Sequence, residues 1–392
     1  MKSYNNLYEP MLENKYIRKC FTDAAKGKSK RNDVEEVMSN LDDEIEKLKK
    51  ILADESFRPA GHKKCVINEN NCHKTREIIK PDYKYEQVIH HCLIGQFKHV
   101  VMKGLYEFSC GSIPGRGVHY GKKFMKKWLE SYEGKKIFVL KMDVHHFFES
   151  VDHGILKQML AKVIRDKRFL NLLYIIIDAN EKGLPLGYFT SQWLANFYLK
   201  AFDHYVKEKL KAEHYIRYMD DMVILGKNKK KLRKMREEIQ TYLRNNLKLE
   251  LKYDWQVFRF EYTAKDGKTR GRFIDFMGFC FHENRITMRK TILQRARRKA
   301  LKITKKERLT WYDATAMLSY MGWFTHTDTY AYYEHYIKPN VNVRKLKRIV
   351  SKHQRKENQR ERMEETNGNT GGTSGRGGQR IVSDNRIPAA GY

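Results

Sequence analysis

Two adjacent aspartates, Asp220 and Asp221, interrupt a stretch that otherwise suits the core of a β-sheet. Residues 215–217 (YIR) precede the motif closely, and the apolar run 222–225 (MVIL) follows it directly. A carboxylate in such surroundings must be paired, protonated or bound to a metal, because removing its charge from water is costly. Taken alone, a pair of aspartates is more often a solvated turn or a helix cap. The pair is therefore informative only together with another acid that the fold brings to it.

A third aspartate, Asp143, stands at the end of a similar run. Residues 137–142 (IFVLKM) are rich in apolar and β-branched side chains and predict a core strand. If the acidic ends of the two strands meet, three carboxylates gather around two Mg²⁺ or Mn²⁺ ions about 3.5–4 Å apart. Such a pair of ions activates an attacking hydroxyl and stabilises a leaving pyrophosphate. The pattern therefore predicts nucleotidyl transfer.

The charge of the chain indicates a polyanionic partner. Lys and Arg number 78 against 47 Asp and Glu in 392 residues, a formal net charge of +31. Neutralising phosphates releases condensed counterions, so nucleic acid is the favoured partner class. With 41% apolar residues the chain can build a sizeable core. No apolar run of about 18 residues and no signal-peptide pattern occurs, which predicts a cytoplasmic protein without a membrane partner. Six irregularly spaced cysteines predict reduced thiols that serve packing.

Four segments occur in an informative order. They read KMDVHHFFESVDH from residue 141, GLPLGYFTSQWLANFYL from residue 183, YIRYMDDMVIL from residue 215 and FIDFMGFCF from residue 273. This series resembles the successive palm motifs of reverse transcriptases, over roughly residues 55–290. The resemblance implies an α+β fold of the right-hand polymerase type, with α-rich fingers, a palm built on an antiparallel sheet, and a helical thumb. It is strongest to bacterial and phage enzymes, above all those of diversity-generating retroelements.

The resemblance also implies roles for single residues, with the three aspartates as the catalytic groups. Metal ligation is implied for Asp143, Val144 (through its carbonyl), Asp220 and Asp221, nucleotide binding for Lys74, Arg76, Phe148, Leu186, Gly187, Ser191 and Gln192, and template or primer contact for Arg116, Phe276, Met277 and Gly278. A bulky ring at Phe148 rejects a 2′-hydroxyl by collision, which implies the use of dNTPs. Lys74 and Arg76 belong to a segment that resembles the fingers motif of the family. Taken alone, these two basic residues also suit a solvated strand face. A plain glycine turn likewise explains residues 115–117.

Two departures from the usual motifs narrow the subfamily. Most reverse transcriptases have glutamine where this chain has Leu186, and proline where it has Gln192. The pattern is similar to that of diversity-generating retroelements, whose enzymes copy with errors at template adenines, although some defence-associated bacterial enzymes share comparable changes. After residue 250, Trp255 and Gln256 stand where a lysine is expected as general acid for pyrophosphate, so Lys252 is the candidate substitute.

Periodicity and composition divide the chain. Amphipathic helices are predicted over 33–53, 229–247 and 291–306. We predict N-terminal helices and fingers at 1–136, a palm at 137–290, a helical thumb at 291–363 and a disordered Gly-rich tail at 364–392. Basic stretches at 289–306 and 344–362 flank an aromatic region, which suits a thumb that tracks a duplex backbone, or alternatively a solvated bundle. The histidines 90, 91, 145 and 146 lack a spaced ligand set and are predicted to serve packing or face solvent.

The predicted function is RNA-directed DNA synthesis on two Mg²⁺ or Mn²⁺ ions. An RNA template, a DNA or RNA primer and dNTPs are the expected partners, and the retroelement interpretation adds a basic helical accessory protein. A rival enzymatic interpretation is defence against phage by cDNA synthesis. A rival of another class is an inactive nucleic-acid-binding scaffold, against which the three intact aspartates argue.

Overall fold

The computed structural model describes residues 3–29, 31–60, 63–69 and 74–368. The chain divides into two compact units, Met1–Arg272 and Phe273–Tyr392. Its helices are α1 Asn14–Ala25, α2 Asn32–Ser39, α3 Leu41–Ala53, α4 Val88–Met102, α5 Val118–Glu130, α6 Phe147–Ser150, α7 His153–Val163, α8 Lys167–Asp178, α9 Phe189–Tyr198, α10 Lys200–His204, α11 Lys229–Leu247, α12 Lys290–Thr304, α13 Trp311–Phe324, α14 Tyr330–Tyr332 and α15 Val343–Gly368. Its strands are β1 Lys63–Glu69, β2 Lys74–Lys80, β3 Phe138–Asp143, β4 His214–Tyr218, β5 Asp221–Gly226, β6 Gln256–Arg259, β7 Tyr262–Thr263, β8 Thr269–Arg270, β9 Ile274–Phe276, β10 Phe279–Phe281 and β11 Ile286–Met288.

The first unit is built on an antiparallel sheet in the order β4-β5-β3-β6. Side chains alternate between its two faces. Leu140, Met142 and Ile224 are completely or almost completely buried and belong to the main core together with side chains of the helices. The side chains of the predicted acids Asp143 and Asp221 lie on the opposite face, at the ends of β3 and β5. Antiparallel sheet and helices together confirm the predicted α+β class, whereas the division into fingers, palm and thumb stays a prediction.

The predicted helix over 33–53 is wrong as a single element. Asn40 leaves helical geometry with ψ 36° and separates α2 from α3. Three acids in the first turn of α3 favour a new helix start, because carboxylates suit the positive end of the helix dipole. The helix over 229–247 is confirmed. Asn228 caps it, with its side-chain oxygen accepting hydrogen bonds from the backbone N–H groups of Lys230 and Lys231 at 2.9 and 3.1 Å.

The second unit combines a three-stranded sheet, in the order β11-β10-β9, with α12 to α15. Its core contains residues of α12, α13 and α15, among them Ala296, Met317 and Leu346. Thr310 and Asp313 form a capping box at the start of α13. The carboxylate of Asp313 also accepts hydrogen bonds from Lys299 and Lys306, at 2.9 and 2.7 Å.

The boundaries of the second unit differ from the sequence prediction in two places. Strands β9 to β11, which we assigned to the palm, group with the helices that follow them. Helix α15 continues to Gly368, past residue 364, where a disordered tail was predicted to begin. The rest of that segment, 369–392, lies outside the described residues.

Two further expectations concern membranes and cysteines. Within the described part of the chain, no helix combines the length and apolarity needed to cross a bilayer. The prediction of free thiols is confirmed for Cys20, Cys65, Cys92, Cys110 and Cys280. Cys72 lies outside the described residues.

Candidate active site

The three predicted aspartates lie together at one end of the central sheet. Strands β3 and β5 are antiparallel neighbours, and their register places Asp143 directly opposite Asp221. The backbone N–H of Val144 donates to the carbonyl oxygen of Asp220 at 3.3 Å. Asp143 and Asp221 therefore point from the same face of the sheet, because paired residues of an antiparallel ladder share a face. The expectation that strand ends far apart in sequence bring these acids together is met by the backbone register.

Asp220 lies in a tight turn between β4 and β5. Tyr218 pairs with Asp221, which leaves Met219 and Asp220 as a two-residue turn. Met219 has φ 55°, a left-handed conformation that glycine adopts readily and other residues adopt at a cost of about 1–2 kcal/mol. Such strain persists only where the surrounding structure fixes the turn.

Two lysines face the acids. The ammonium of Lys252 lies 2.5 Å from Oδ1 of Asp143, and the ammonium of Lys141 lies 3.9 Å from Oδ2 of Asp221. Burial of Lys252 lowers its pKa, but the hydrogen bond to Asp143 and the charges of Asp143, Asp220 and Asp254 outweigh this effect, so its pKa is raised. Lys252 therefore carries a proton at neutral pH.

The donor chemistry of this cluster fits a hard divalent cation. Carboxylate and peptide-carbonyl oxygens are the ligands that Mg²⁺ takes from proteins, and it commonly completes its shell with water and substrate phosphates. Among the described residues, no group of three or more His, Cys, Asp or Glu side chains is arranged to hold a metal ion on its own.

The loop at Leu186 and Gly187 is held against strand β2. The backbone N–H of Ile79 donates to the carbonyl oxygen of Leu186 at 2.8 Å. Gly187 has φ 108°, and a Cβ at this position would lie 2.2 Å from the carbonyl oxygen of Ile79. The hydroxyl of Tyr188, the next residue, donates to Oε1 of Glu86 at 2.5 Å inside the core. The loop is therefore tied to residues 79–86, and only glycine fits its closest approach.

The residues of this loop differ in how far they are exposed. Ser191 is only 2% exposed, and its hydroxyl donates to the carbonyl oxygen of Pro185 at 2.7 Å. This hydrogen bond shapes the loop, and a contact of Ser191 with the nucleotide stays a prediction. Gln192 is exposed and Leu186 half-buried. Phe147 is buried, as expected for a core residue. Phe148 is half-buried, and its role as the sugar gate stays a prediction.

The predicted triphosphate-binding residues belong to strand β2. Lys74 pairs with Glu69, and Arg76 with Ile67, in the β1–β2 ladder. Two positions apart on one strand, the two residues share a face. Their side chains lie outside the described part of the structure, so their role stays a prediction.

Arg116, a predicted template contact, is anchored internally. Its guanidinium donates from Nη1 to the carbonyl oxygen of Tyr106 at 2.7 Å, and the side chain is half-buried. This bond fixes the turn at residues 113–116, where the N–H of Arg116 also donates to the carbonyl oxygen of Ile113. A contact with the template stays a prediction.

The predicted primer-contact residues form a hairpin turn in the second unit. Phe276 pairs with Phe279, and Met277 and Gly278 are the two turn residues, with φ 53° and 83°. Phe276 has no exposed surface and packs within its own unit, and the primer contact of these residues stays a prediction. A Cβ on Gly278 would lie 2.8 Å from atoms of Ile292 and Trp323, so this turn also requires glycine.

The histidines are divided between core and surface. His90 is completely buried and has no hydrogen-bond partner among the described residues. Burial, with a small effect of the neighbouring His91, lowers the pKa of His90 to about 3, so the ring is neutral. His91 stacks on Phe189 with ring centroids 4.4 Å apart. His145 and His146 are exposed.

Comparison with known proteins addresses the same segment. Residues 63–256 match the family model described as reverse transcriptase (RNA-dependent DNA polymerase). The matched range contains all three aspartates, the loop at residue 186 and strand β2. These residues, just under half of the chain, are a reverse transcriptase domain.

Relatives of this reverse transcriptase are distant. Protein YkfC of Escherichia coli (strain K12) is 24% identical over 254 residues, which are 54% of this chain and 66% of that protein. An uncharacterized 91 kDa protein in the cob intron of Schizosaccharomyces pombe is 27% identical over 136 residues, 31% of this chain and 16% of that protein. The chain thus spans just under two thirds of the first relative and a small part of the second. Similarity to YkfC and to the protein in the cob intron accords with the match to the reverse transcriptase model.

Solved structures with a similar backbone include two telomerases. Apo telomerase from Candida tropicalis, truncated from its C-terminal domain, gives a TM-score of 0.46 at 13% identity, over 58% of this chain and 55% of that chain. Telomerase from Candida albicans in complex with a TWJ fragment of telomeric RNA gives 0.44 at 12% identity, over 74% and 56%. Both TM-scores are below 0.5.

The sequence analysis did not find the buried residues that contact the turn of Met219 and Asp220. Gly111, Asp203 and the buried role of Arg217 were not predicted. One signal was present in the sequence. Arg217 lies in a strand next to Tyr218, and successive side chains of a strand point to opposite faces. If the acids lie on one face, Arg217 must point to the other, which is the core. Its partners could not be read, because they are spread over about a hundred residues of sequence.

Proposed function

We propose that this reverse transcriptase synthesises DNA on an RNA template at the cluster formed by Asp143, Asp220 and Asp221. The observation that carries the proposal is the register that sets Asp143 opposite Asp221 and next to the turn of Asp220. Carboxylates at adjacent strand ends concentrate negative charge where a primer hydroxyl and a triphosphate would meet. The substrates we propose are an RNA template, a DNA or RNA primer and dNTPs.

The aspartates, with the carbonyl oxygen of Val144, would hold two Mg²⁺ or Mn²⁺ ions. When bound, the ions supply charge that activates the primer hydroxyl and stabilises the departing pyrophosphate. The chain itself aligns the substrates. Gly187 lets the loop approach β2 closely, Phe148 offers a ring against a 2′-hydroxyl, and Lys74 and Arg76 are proposed to bind the triphosphate.

Lys252 is proposed as the proton donor to pyrophosphate. It pairs with Asp143 at 2.5 Å, and its raised pKa keeps it protonated. A protonated group within reach of the acids can donate to the leaving oxygen, a contribution that is typically about 10²–10⁴-fold.

Primer extension on an RNA template tests the proposal. We expect the wild-type protein to incorporate dNTPs in the presence of Mg²⁺, and Asp220→Asn or Asp143→Asn to lower the rate by about 10³-fold or more with an unchanged unfolding midpoint. Asp254→Asn is the matched control, because it removes the same charge from an exposed residue close to Lys252. Retained primer extension in the Asp143 and Asp220 variants would show that the catalytic acids are misassigned. A wild-type protein that incorporates no dNTP would favour the alternative of an inactive nucleic-acid-binding scaffold.

A finer proposal is that copying is error-prone, as in diversity-generating retroelements. Leu186 and Gln192 carry it, because they replace residues usual in the family and Gln192 is exposed beside the loop. Without a polar side chain at residue 186, a mismatched pair leaves fewer groups unsatisfied and is penalised less. A basic helical accessory protein would then be a further partner.

Sequencing of the products decides between the biological alternatives. We expect misincorporation opposite template adenine to exceed that opposite the other bases, and Leu186→Gln to reduce the excess. Equal error rates at all four bases would refute the retroelement proposal. In cells, cDNA copied from a repeat beside the gene supports retrohoming, whereas cDNA made only on phage infection supports defence.

A further inference from the structure

The turn that carries Asp220 is attached to buried charges on the other face of the sheet. Arg217 donates from Nη1 to the carbonyl oxygen of Met219 at 2.9 Å. Its Nε and Nη2 donate to the two carboxylate oxygens of Asp203, on α10, at 2.8 and 2.6 Å. Both side chains of this ion pair have no exposed surface.

We propose that Arg217, held by Asp203, Ser109 and Asn196, is the positioning residue that sets the place of Asp220. We call these four residues the turn anchor. The proposal rests on the proposed function, in that it assigns to the anchor the task of presenting Asp220 for metal binding. Arg217 pairs with Met222, so its side chain lies on the face of the sheet opposite to that of Asp221. The anchor therefore acts on Asp220 through the backbone of the turn.

The guanidinium of Arg217 is fully used. Besides the three bonds above, Nη2 donates to Oγ of Ser109 at 2.8 Å and Nη1 donates to Oδ1 of Asn196 at 3.5 Å. Five acceptors thus match the five N–H donors that an arginine carries. The N–H donors of a guanidinium point in fixed directions. The carboxylate of Asp203 therefore fixes the orientation of the guanidinium, and this orientation determines where the carbonyl of Met219 must lie.

The turn is also confined from the side of residues 108–111. The N–H of Cys110 donates to the carbonyl oxygen of Arg217 at 2.8 Å, and the N–H of Arg217 donates to that of Phe108 at 3.0 Å. A Cβ on Gly111 would lie 2.7 Å from the backbone nitrogen of Met219. Asn196 donates to the carbonyl oxygen of Gly111 at 3.0 Å. The anchor therefore fixes both the turn and the segment packed against it.

Stability alone does not explain a buried ion pair of this kind. Apolar side chains of similar volume often replace such a pair without loss of stability, whereas removing one partner leaves a buried charge uncompensated. An apolar pair cannot donate to the carbonyl of Met219, however, and a lysine ammonium cannot span the directions of a guanidinium. The strained φ of Met219 would then relax, and Asp220 would shift with it.

The test separates positioning from folding. The double variant Arg217→Met/Asp203→Leu removes both buried charges, and Arg217→Lys keeps a cation opposite Asp203. We expect both to unfold cooperatively, with faster hydrogen exchange in the peptide 214–226, Mn²⁺ affinity lowered about tenfold in electron paramagnetic resonance titrations without nucleic acid, and kcat lowered by tenfold or more. If the double variant fails to fold, Arg217→Lys alone decides.

Tyr215→Phe is the matched control. It removes the hydroxyl that donates to Oδ1 of Asp203 at 2.7 Å but leaves every donor of Arg217 in place. We expect a lower unfolding midpoint with kcat, Mn²⁺ affinity and hydrogen exchange of the turn within twofold of wild type. The proposal is overturned if a folded anchor variant matches wild type in these three measurements, or if Tyr215→Phe impairs them as strongly. A wild type that binds Mn²⁺ but incorporates no dNTP would refute the polymerase function instead, while the exchange measurement would still judge the anchor.

Discussion

Replacing Gly187 by alanine probes the link between the loop and strand β2. The added Cβ would lie 2.2 Å from the carbonyl oxygen of Ile79 and 2.8 Å from Cγ2 of Ile78. Since an ordinary contact needs more than about 3 Å, the loop and the strand end must separate by about 1 Å. Backbone atoms receive the clash, so no side-chain rotation can relieve it.

The expected loss of stability follows from two terms. A residue with a side chain at φ 108° is strained by about 1–3 kcal/mol. Separation also breaks the bond from the N–H of Ile79 to the carbonyl of Leu186, which costs about 1–3 kcal/mol when a buried group loses its partner. We therefore expect Gly187→Ala to lower the free energy of unfolding by roughly 2–6 kcal/mol in urea titrations.

Catalysis should suffer as well, because β2 also carries Lys74 and Arg76. Misplacing substrate-binding groups by about 1 Å can cost about 100-fold, so kcat/KM for dNTP should fall by that order. Gly322→Ala is the control: no atom lies within 4 Å of its added Cβ, and alanine inside α13 should stabilise by about 0.5–1 kcal/mol. A Gly187→Ala protein that keeps wild-type stability and kcat/KM would refute the description of the loop.

Three further predictions address the gate, the proton donor and the second unit. Phe148→Val should raise rNTP incorporation about tenfold or more relative to dNTP, because the smaller side chain admits a 2′-hydroxyl; unchanged selectivity in single-nucleotide extension would argue against the gate. Lys252→Gln should lower kcat by about 10²-fold while KM for dNTP changes little, since a proton donor acts in the chemical step, and a loss confined to KM would contradict this role. Asp313→Asn should lower the free energy of unfolding at pH 7 by about 1–3 kcal/mol, because two lysines and the helix cap lose a charged acceptor. Hydrogen bonds from those lysines hold the pKa of Asp313 far below its ordinary value, so this stabilisation is present above the ordinary carboxyl range and lost as pH falls through and below it; a difference from Asp313→Asn that persists unchanged in acid would contradict the assignment.

Local pattern was sufficient for the elements that position the acids. The apolar run before Asp143 and the run after Asp221 became neighbouring strands, and the helix over 229–247 has the predicted ends. These segments have clear periodicity and polar residues at their limits, so local and tertiary preferences agree. The break at Asn40 was missed because the hydrophobic spacing continues across it.

What pattern could not supply is the identity of long-range partners. The motif that contains Ser191 resembles a nucleotide-binding segment, but its hydroxyl is taken by Pro185, a contact that only the folded turn creates. Phe276 likewise belongs to a motif associated with primer contact and yet is buried in its own unit. A motif fixes residue types, whereas which way each side chain faces depends on the packing around the turn.

The aspartates of this chain are stabilised by two different kinds of ion pair. One kind suits a structural role and the other suits the proposed catalytic role. Asp203 and Arg217 form a fully buried ion pair, and every N–H donor of the guanidinium is used. Such a pair cannot exchange partners unless the structure around it unfolds. Asp143 and Asp221 each face a lysine ammonium group, and all four side chains keep between 24% and 32% of their surface exposed. A lysine is a point charge on a flexible stem and can move away when another cation arrives. The aspartates of the proposed active site are thus paired with movable lysines, whereas Asp203 is held in a fixed ion pair. This arrangement would suit exchangeable metal ions on a rigid support.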